Sequence, residues 1–539
     1  MADATALTTG PSPAMTIRQR LQLFTWPVGF LAILTSVAMF NWGYDTLVFS
    51  GVVAMKHFNI KFGQCHTSLT TGLPVCEIPG STVSIMNAAP FAGKLVGIWM
   101  AAPLAQRIGR KPIFLVVVCT SWVGVILQIT ATTVAQFTVG RVVCYSMTGI
   151  CAPVIPAYVA EVAPAELRGM LVSLMHLQIV LGNIIASVIN TRTSKIDSNS
   201  SWLIPIGLQF VMPSVMAAGY PLLVESPRWL VSENRTDCAI AALRRLRGST
   251  VSESDIASEA DLLVTANTNQ SKGRWSEVLS GTNRRRTLIG ILALVGQQIT
   301  GQVFVLQYGV LFYQKQGYTN SFELLAGGLV VSLVVSIFTT FVVDHFGRRP
   351  LLITGGIGQA VFLLLIGAVS TPLGVTRTVL NLQVAGFYLW AIAYCLSWAP
   401  LSYVILAEAS PTRLVEKTNL IATSVNVVVA FAVSLSAPYL LYEEYANLGG
   451  KVGYIYGSFA LMLAVLAFFF VPEMKGRTLE EIEVLFADRV PTRKFKGTHV
   501  DVASLKIGDS VADSARQGPA VDQKRDEVVV ETKKGDGQV

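Results

Sequence analysis

The chain has 539 residues, of which 52% are hydrophobic and only 14% charged, against roughly a quarter charged in a soluble domain. So few charges cannot cover a water-facing surface of this size, which argues against a large soluble enzyme and a disordered chain, and the continuous rather than alternating apolar runs disfavour a transmembrane barrel. The net charge of +8 is carried in short loops between apolar runs, a topology signal rather than a nucleic-acid surface.

The first 20 residues are polar, hold Arg18 and Arg20, and lack the compact basic, apolar and cleavage regions of a signal peptide, so the tail 1–25 is expected to be cytoplasmic and the first apolar helix retained. A spanning helix needs about 20 largely apolar residues. Twelve such segments follow in order: 26–49, 82–105, 113–133, 136–159, 170–190, 202–224, 287–313, 322–343, 351–370, 380–407, 418–441 and 452–471. Basic residues mark alternate loops: Arg107, Arg110 and Lys111 after the second segment, Arg168 after the fourth, Arg348 and Arg349 after the eighth, Arg413 and Lys417 after the tenth. The loops between are poorer, so both termini and the long linker 225–286 are expected on the cytoplasmic side. The linker carries a helix-like pattern around Ala239 to Leu246. The tail 472–539 starts helical and becomes charge-rich, the composition of a disordered segment.

Two loops are written twice. Arg107-Ile-Gly-Arg-Lys-Pro returns as His345-Phe-Gly-Arg-Arg-Pro, and Glu161-x-x-Pro164-x-x-x-Arg168 returns as Glu408-x-x-Pro411-x-Arg413, at offsets of 238 and 247 residues. A chain that repeats its loop grammar at half length is expected to be an all-α membrane protein of two six-helix bundles, 26–224 and 287–471. Its binding site would lie between the halves near the membrane midplane.

These loops resemble the major facilitator superfamily, in particular its sugar porters. The resemblance runs from about Phe40 to Leu485 and rests on an ordered set: Gly43-Tyr44-Asp45, Gly109-Arg110-Lys111, Gly140-Arg141, Pro156-x-Tyr158-x-x-Glu161, Glu225-Ser226-Pro227-Arg228-Trp229, Gln297-Gln298-x-x-Gly301 and Pro472-Glu473-x-Lys475-Gly476-Arg477. The wording around Gly43–Gly51 and Trp202–Pro213 is similar to the fungal branch that includes maltose and other α-glucoside permeases. The resemblance implies secondary transport of a sugar, polyol or sugar acid, fungal-type and proton-coupled, at the plasma membrane. The partners implied are a small-molecule substrate, protons and membrane lipid, with no nucleic acid, cofactor or metal, and the chain is read as a monomer.

Asp45 is an acid inside an apolar helix, which costs about 2.5–3.5 kcal/mol on insertion scales and marks a functional interior position. In the resembled symporters the equivalent acid carries the proton and pairs with the equivalent of Arg141; a permanent structural ion pair is the other reading. Glu161, Arg168, Glu225, Arg228, Asp344, Glu408, Arg413 and Glu473, with Arg110 and Arg348, read either as an intracellular gate of ion pairs or as topology-setting charge. The resemblance places substrate contacts at Gln297, Gln298, Tyr308, Asn426 and Trp398. The chain departs from the hexose-porter pattern at Val303, Gln307, His176, Ala399, Tyr403 and Val427, and Tyr403 is read as a further ligand contact. His176 and Gln307 are new polar groups, so the expected ligand differs from a common hexose. The two glutamines could instead bridge helices, and His176 could make a helix–helix hydrogen bond.

Lys94 stands twelve residues before Gln106, about 18 Å along a helix. A lysine at that depth needs an acid, a water path or an anionic ligand, or it snorkels. Cys65 and Cys76 lie in the outer loop between the first two segments and either pair or stay free. Asn199-Ser200-Ser201 is an outer glycosylation sequon; Asn234-Arg235-Thr236 and Asn269-Gln270-Ser271 face the cytoplasm and are expected to stay unmodified. An exporter of a secondary metabolite and a non-transporting nutrient sensor share the fold as rival readings. An ATP-driven pump is disfavoured because no Walker-type loop appears, and an enzyme because no nucleophile–base or metal constellation does.

Overall fold

The structure is a computed structural model; it describes residues 25–495 and Thr498, apart from 68–73, 164, 248–250, 269–272, 372–375 and 478. The amino-terminal tail, the tail beyond Thr498 and the Asn269 sequon lie outside the described residues.

Twelve helices long and apolar enough to cross a membrane are present. Spans 1 to 4 are Trp26–Val52, Gly80–Ile108, Lys111–Ile129 and Val134–Val162, and span 5 lies in helix Ala165–Thr193. Span 6 covers Ser200–Leu222, span 7 Gly281–Lys315 and span 10 Arg377–Ala409. Spans 8, 9, 11 and 12 lie in Ser321–Phe346, Arg348–Val369, Val415–Leu441 and Val452–Phe470. Several helices run a few residues past the apolar segments, because hydropathy reports only the hydrocarbon thickness while the helix continues into the interface.

Spans 1–6 pack on one another and spans 7–12 likewise, giving two six-helix bundles. They meet where span 2 lies along span 11, span 5 along span 8, and span 1 along the second half of span 7. Apolar side chains alone give little drive for association in lipid, so close backbone approach supplies the dispersion contacts. A Cβ on Gly43 would strike the Ile179 carbonyl of span 5, and one on Gly93 the Val142 carbonyl of span 4. Only glycine lets those helix pairs approach so closely.

Three spans are broken. Gly301, at φ +97°, divides span 7 into Gly281–Ile299 and Gln302–Lys315. Span 10 breaks at Ser397, and span 6 contains the 3-10 turn Leu208–Phe210. Backbone freed by a break must find partners inside the protein. Here the Trp390 indole donates to the Thr300 carbonyl at 3.1 Å and the Tyr394 hydroxyl to the Gln297 carbonyl at 3.4 Å. The two rings stack at 5.4 Å between centroids.

One face of the molecule carries the helix Lys56–Phe62 and a hairpin of strands Gln64–Thr67 and Pro74–Glu77, closed by a Cys65–Cys76 disulfide. Phe58, Phe62, Phe137 and Trp202 form one aromatic cluster that seats this loop on spans 4 and 6. The opposite face carries the linker helices Pro227–Ser232, Thr236–Arg247 and Glu253–Thr268. Ala239 and Leu246 of the linker pack with Val28 and Leu31 of span 1, and Thr25 donates to the Leu246 carbonyl at 2.7 Å.

Candidate functional site

Asp45 is buried in span 1. One carboxylate oxygen accepts from the Gln209 amide at 3.2 Å; the other is buried without a hydrogen-bond partner. Gln209 belongs to the 3-10 turn of span 6, so the break in that helix aims an amide at the acid. Arg141 is also buried but, among the described residues, forms no ion pair with Asp45. Its guanidinium donates to the Met86 carbonyl at 2.6 Å and to Asn87 at 3.5 Å, and lies 3.9 Å over the Phe49 ring. The expected Asp45–Arg141 pair is therefore two neighbouring groups with separate partners, because span 2 supplies the acceptors and Phe49 the ring face that hold Arg141. Gln209 and Asn87 were missed in the sequence; a lone amide within an apolar run was the signal.

The amides of span 7 fall into two clusters along the bundle interface. Gln298 donates to the Asn426 side chain at 3.2 Å, Asn426 to the Leu294 carbonyl at 2.7 Å, and Gln297 to the Ala399 carbonyl at 3.0 Å. This cluster ties spans 7, 10 and 11. Nearer the hairpin face, Ser434 donates to Gln307 at 2.6 Å and the Tyr308 hydroxyl donates to the Ser434 carbonyl at 2.7 Å. Tyr145 and Asn87 of the first bundle face Gln307 and Tyr308 of the second. Trp398, expected at the ligand, is wholly buried and packs against Gly296 of span 7 and Gly356 of span 9, its indole bonded to the Leu352 carbonyl at 3.1 Å. In this structure the break at Ser397 turns it into the core. Tyr403 is 46% exposed and His176 is exposed, and among the described residues neither has a hydrogen-bond partner.

The charges on the linker face form two modules rather than one network. Arg110 pairs with Glu161 at 2.8 Å, and Glu225 accepts from the backbone N–H groups of Arg110 at 2.9 Å and Lys111 at 3.1 Å. In the second bundle Arg348 pairs with Glu408 at 2.9 Å, and Glu473 accepts from the N–H groups of Arg348 at 3.0 Å and Arg349 at 3.1 Å. The two glutamates satisfy the orphan amides that begin spans 3 and 9 and sit at the positive ends of those helices. Gly109 and Gly347, at φ +91° and +93°, make the turns that aim the amides. Each of these pairs is made within one half of the molecule. Arg228 and Arg413 are exposed and join neither module among the described residues, and the side chains of Arg168 and Asp344 lie outside them.

On the hairpin face the bundles are bridged. Gln314 donates to the Ala54 carbonyl at 3.2 Å, Ser84 of span 2 to the Leu435 carbonyl of span 11, Lys315 pairs with Glu77 at 3.6 Å, and Lys195 with Glu323 at 3.3 Å. Asn199 is exposed on this face. In its loop Asp197 bonds His57 at 2.8 Å and Lys56 at 3.3 Å, and those hydrogen bonds hold its carboxyl below the usual carboxylate range.

The arrangement places hydrogen-bonding amides along the bundle interface and a buried ionisable group in span 1, and among the described residues no covalent step is set up. The profile of the sugar (and other) transporter family matches residues 30–486. A low-affinity glucose transporter of Saccharomyces cerevisiae is 30% identical over 488 residues, covering 86% of this chain and 82% of its own. A major facilitator-type transporter of Aspergillus rugulosus is 29% identical over 479 residues, covering 86% of this chain and 88% of its own. The partially occluded, inward-open structure of the Escherichia coli xylose transporter superposes with a TM-score of 0.70 at 21% identity, covering 84% of this chain and all of that one, a likeness of fold. With the family profile spanning both bundles, and with the paired charge turns and broken spans in place, the chain belongs to the sugar (and other) transporter family of multi-pass membrane transporters.

Proposed function

We propose that the protein takes up a sugar or sugar-like molecule together with a proton by alternating access across the plasma membrane. In this reading both termini and the linker are cytoplasmic, and the hairpin, its disulfide and Asn199 face outward. The observation that carries it is Asp45, an acid enclosed in span 1 whose second oxygen has no hydrogen-bond partner. A buried carboxyl with an unused oxygen is stable as the protonated acid and must be compensated when it ionises. Arg141, close by and held by Met86 and Phe49, offers that compensation without neutralising Asp45 permanently.

The amides of Gln297, Gln298 and Asn426 are the sugar contacts. In the structure they satisfy one another and nearby carbonyls, bonds that sugar hydroxyls can replace one for one. The bundles are bridged on the hairpin face, and in this reading the site exchanges its ligand toward the linker face when one bundle rocks against the other. The two charge modules keep the linker-facing end of each bundle rigid while one bundle rocks against the other. The relatives named as glucose and xylose transporters support a sugar as the substrate class. The test is uptake by purified protein in vesicles under an imposed proton gradient. Asp45→Asn is expected to lose uphill accumulation and retain counterflow exchange; accumulation equal to that of the unaltered protein would refute the coupling role.

A further inference from the structure

Span 2 carries a cation that the sugar reading does not use. Asn87, Lys94 and Ala101 recur every seven residues and so share one stripe of the helix; Asn87 and Ala101 are buried, whereas Ala92, Val96 and Trp99 on the other side are exposed. Lys94 therefore points into the protein, and its ammonium lies 4.9 Å from the centroid of the Trp42 ring of span 1. The ammonium of this half-buried lysine is held at that ring rather than extended along the lipid-facing side of the helix. An ion pair with a neighbouring helix is not made either: among the described residues none of its three hydrogens has an acceptor. Arg141, by contrast, is occupied by Met86, Asn87 and Phe49.

Its depth matches that of the sugar amides. Ser84 of span 2 touches Leu435 of span 11 near the hairpin face, and the two helices run antiparallel from there. Lys94 lies about 15 Å along span 2 from this contact and Asn426 about 13.5 Å along span 11. The lysine and the Gln297–Gln298–Asn426 cluster thus stand at one level on the two sides of the bundle interface. The amides fit hydroxyls; an ammonium over an aromatic ring, with its hydrogens unclaimed, fits an anion.

We infer that the transported molecule is a sugar acid, its hydroxyls on the second-bundle amides and its carboxylate on Lys94. This rests on the transport reading above and names the substrate class of that same site. It is tested with purified full-length protein, using D-glucose, D-glucuronate, D-galacturonate, D-gluconate and, as a bare anion, acetate. Vesicle uptake and ligand-induced thermal stabilisation are both read. At least one sugar acid is expected to bind about tenfold or more tightly than glucose, and acetate weakly. Lys94→Met and Lys94→Gln should weaken the acid about 10- to 100-fold and change glucose by less than about twofold, while Lys94→Arg keeps most acid binding. Glucose uptake with sugar acids ignored, or acid binding unchanged in both neutral variants, would overturn the assignment and leave sugar transport standing. Binding and uptake of neither class would overturn both. If one neutral variant fails to fold, the unaltered protein's preference between glucose and its acids still decides.

Discussion

Single side chains decide what this interface can recognise. Gln297 and Gln298 are bonded within the second bundle, so substituting them tests ligand and scaffold roles together. An interhelical hydrogen bond in a membrane averages only about 0.6 kcal/mol. Gln297→Ala is therefore expected to lower thermal stability little and to raise the apparent KM about tenfold, since one amide fork on a sugar hydroxyl is lost. A large fall in melting temperature with an unchanged KM would assign the amide to packing. Trp398 should behave the opposite way. It fills a core site against two glycines, and Trp398→Ala should cost about 3–5 kcal/mol of stability, read by thermal unfolding, with no selective change in substrate profile among the molecules that fold.

At the scale of elements, the repeated turn before spans 3 and 9 is a device of three parts: a glycine at positive φ, two exposed helix-start amides and a glutamate from after the sixth or twelfth span. Gly109→Ala meets both a strained backbone and the Glu225 carboxylate, so it should lower stability by about 1–2 kcal/mol or more; Gly347→Ala should do the same against Glu473. Exchanging charges within a module gives a sharper test. Arg110→Glu alone should fail in expression, and Arg110→Glu with Glu161→Arg should recover part of it, because the pair is internal to one bundle. The loop contact of Asp197 has a pH signature. Its carboxyl is held below the usual carboxylate range by His57 and Lys56, so its contribution is present above that range and lost as pH falls through the lowered value. Amide exchange across 56–62 should accelerate only in acid, and Asp197→Asn should remove that dependence.

For the whole molecule the question is which face opens. Two interbundle ion pairs, Lys315–Glu77 and Lys195–Glu323, bridge the hairpin face with partly exposed glutamates. Such pairs contribute about 0.2–1 kcal/mol each. The double variant Glu77→Gln, Glu323→Gln should shift the closed-to-open ratio on that face about 2- to 30-fold. Distances between spin labels at Ile60 and Tyr445, one on each bundle, measure the ratio once the free cysteines are replaced. The difference should shrink in molar salt, where screening removes most of the pairs' attraction.

Composition and hydropathy by themselves determined the class and the twelve spans, because a segment that must satisfy every backbone group inside a membrane has one helical solution and announces it by length and apolarity; the two-bundle plan came from the loops repeated at half length. The paired loops likewise announced Arg110, Glu161 and their counterparts Arg348 and Glu408, since short turns fix local geometry, while Glu225 and Glu473 were marked by the family resemblance. Partners across helices were decided only by the tertiary structure. Asp45 met Gln209 rather than Arg141 because a break in span 6 turned an amide inward. Trp398 went to the core because span 10 breaks beside it. The charge modules stayed within bundles because the helix that supplies each glutamate lies on its own side of the interface. Lys94 was visible as an anomaly in the sequence, but whether an acid on another helix answered it depended on which faces the packed helices turned toward one another. One-dimensional spacing fixes the face of a helix; only packing fixes what that face meets.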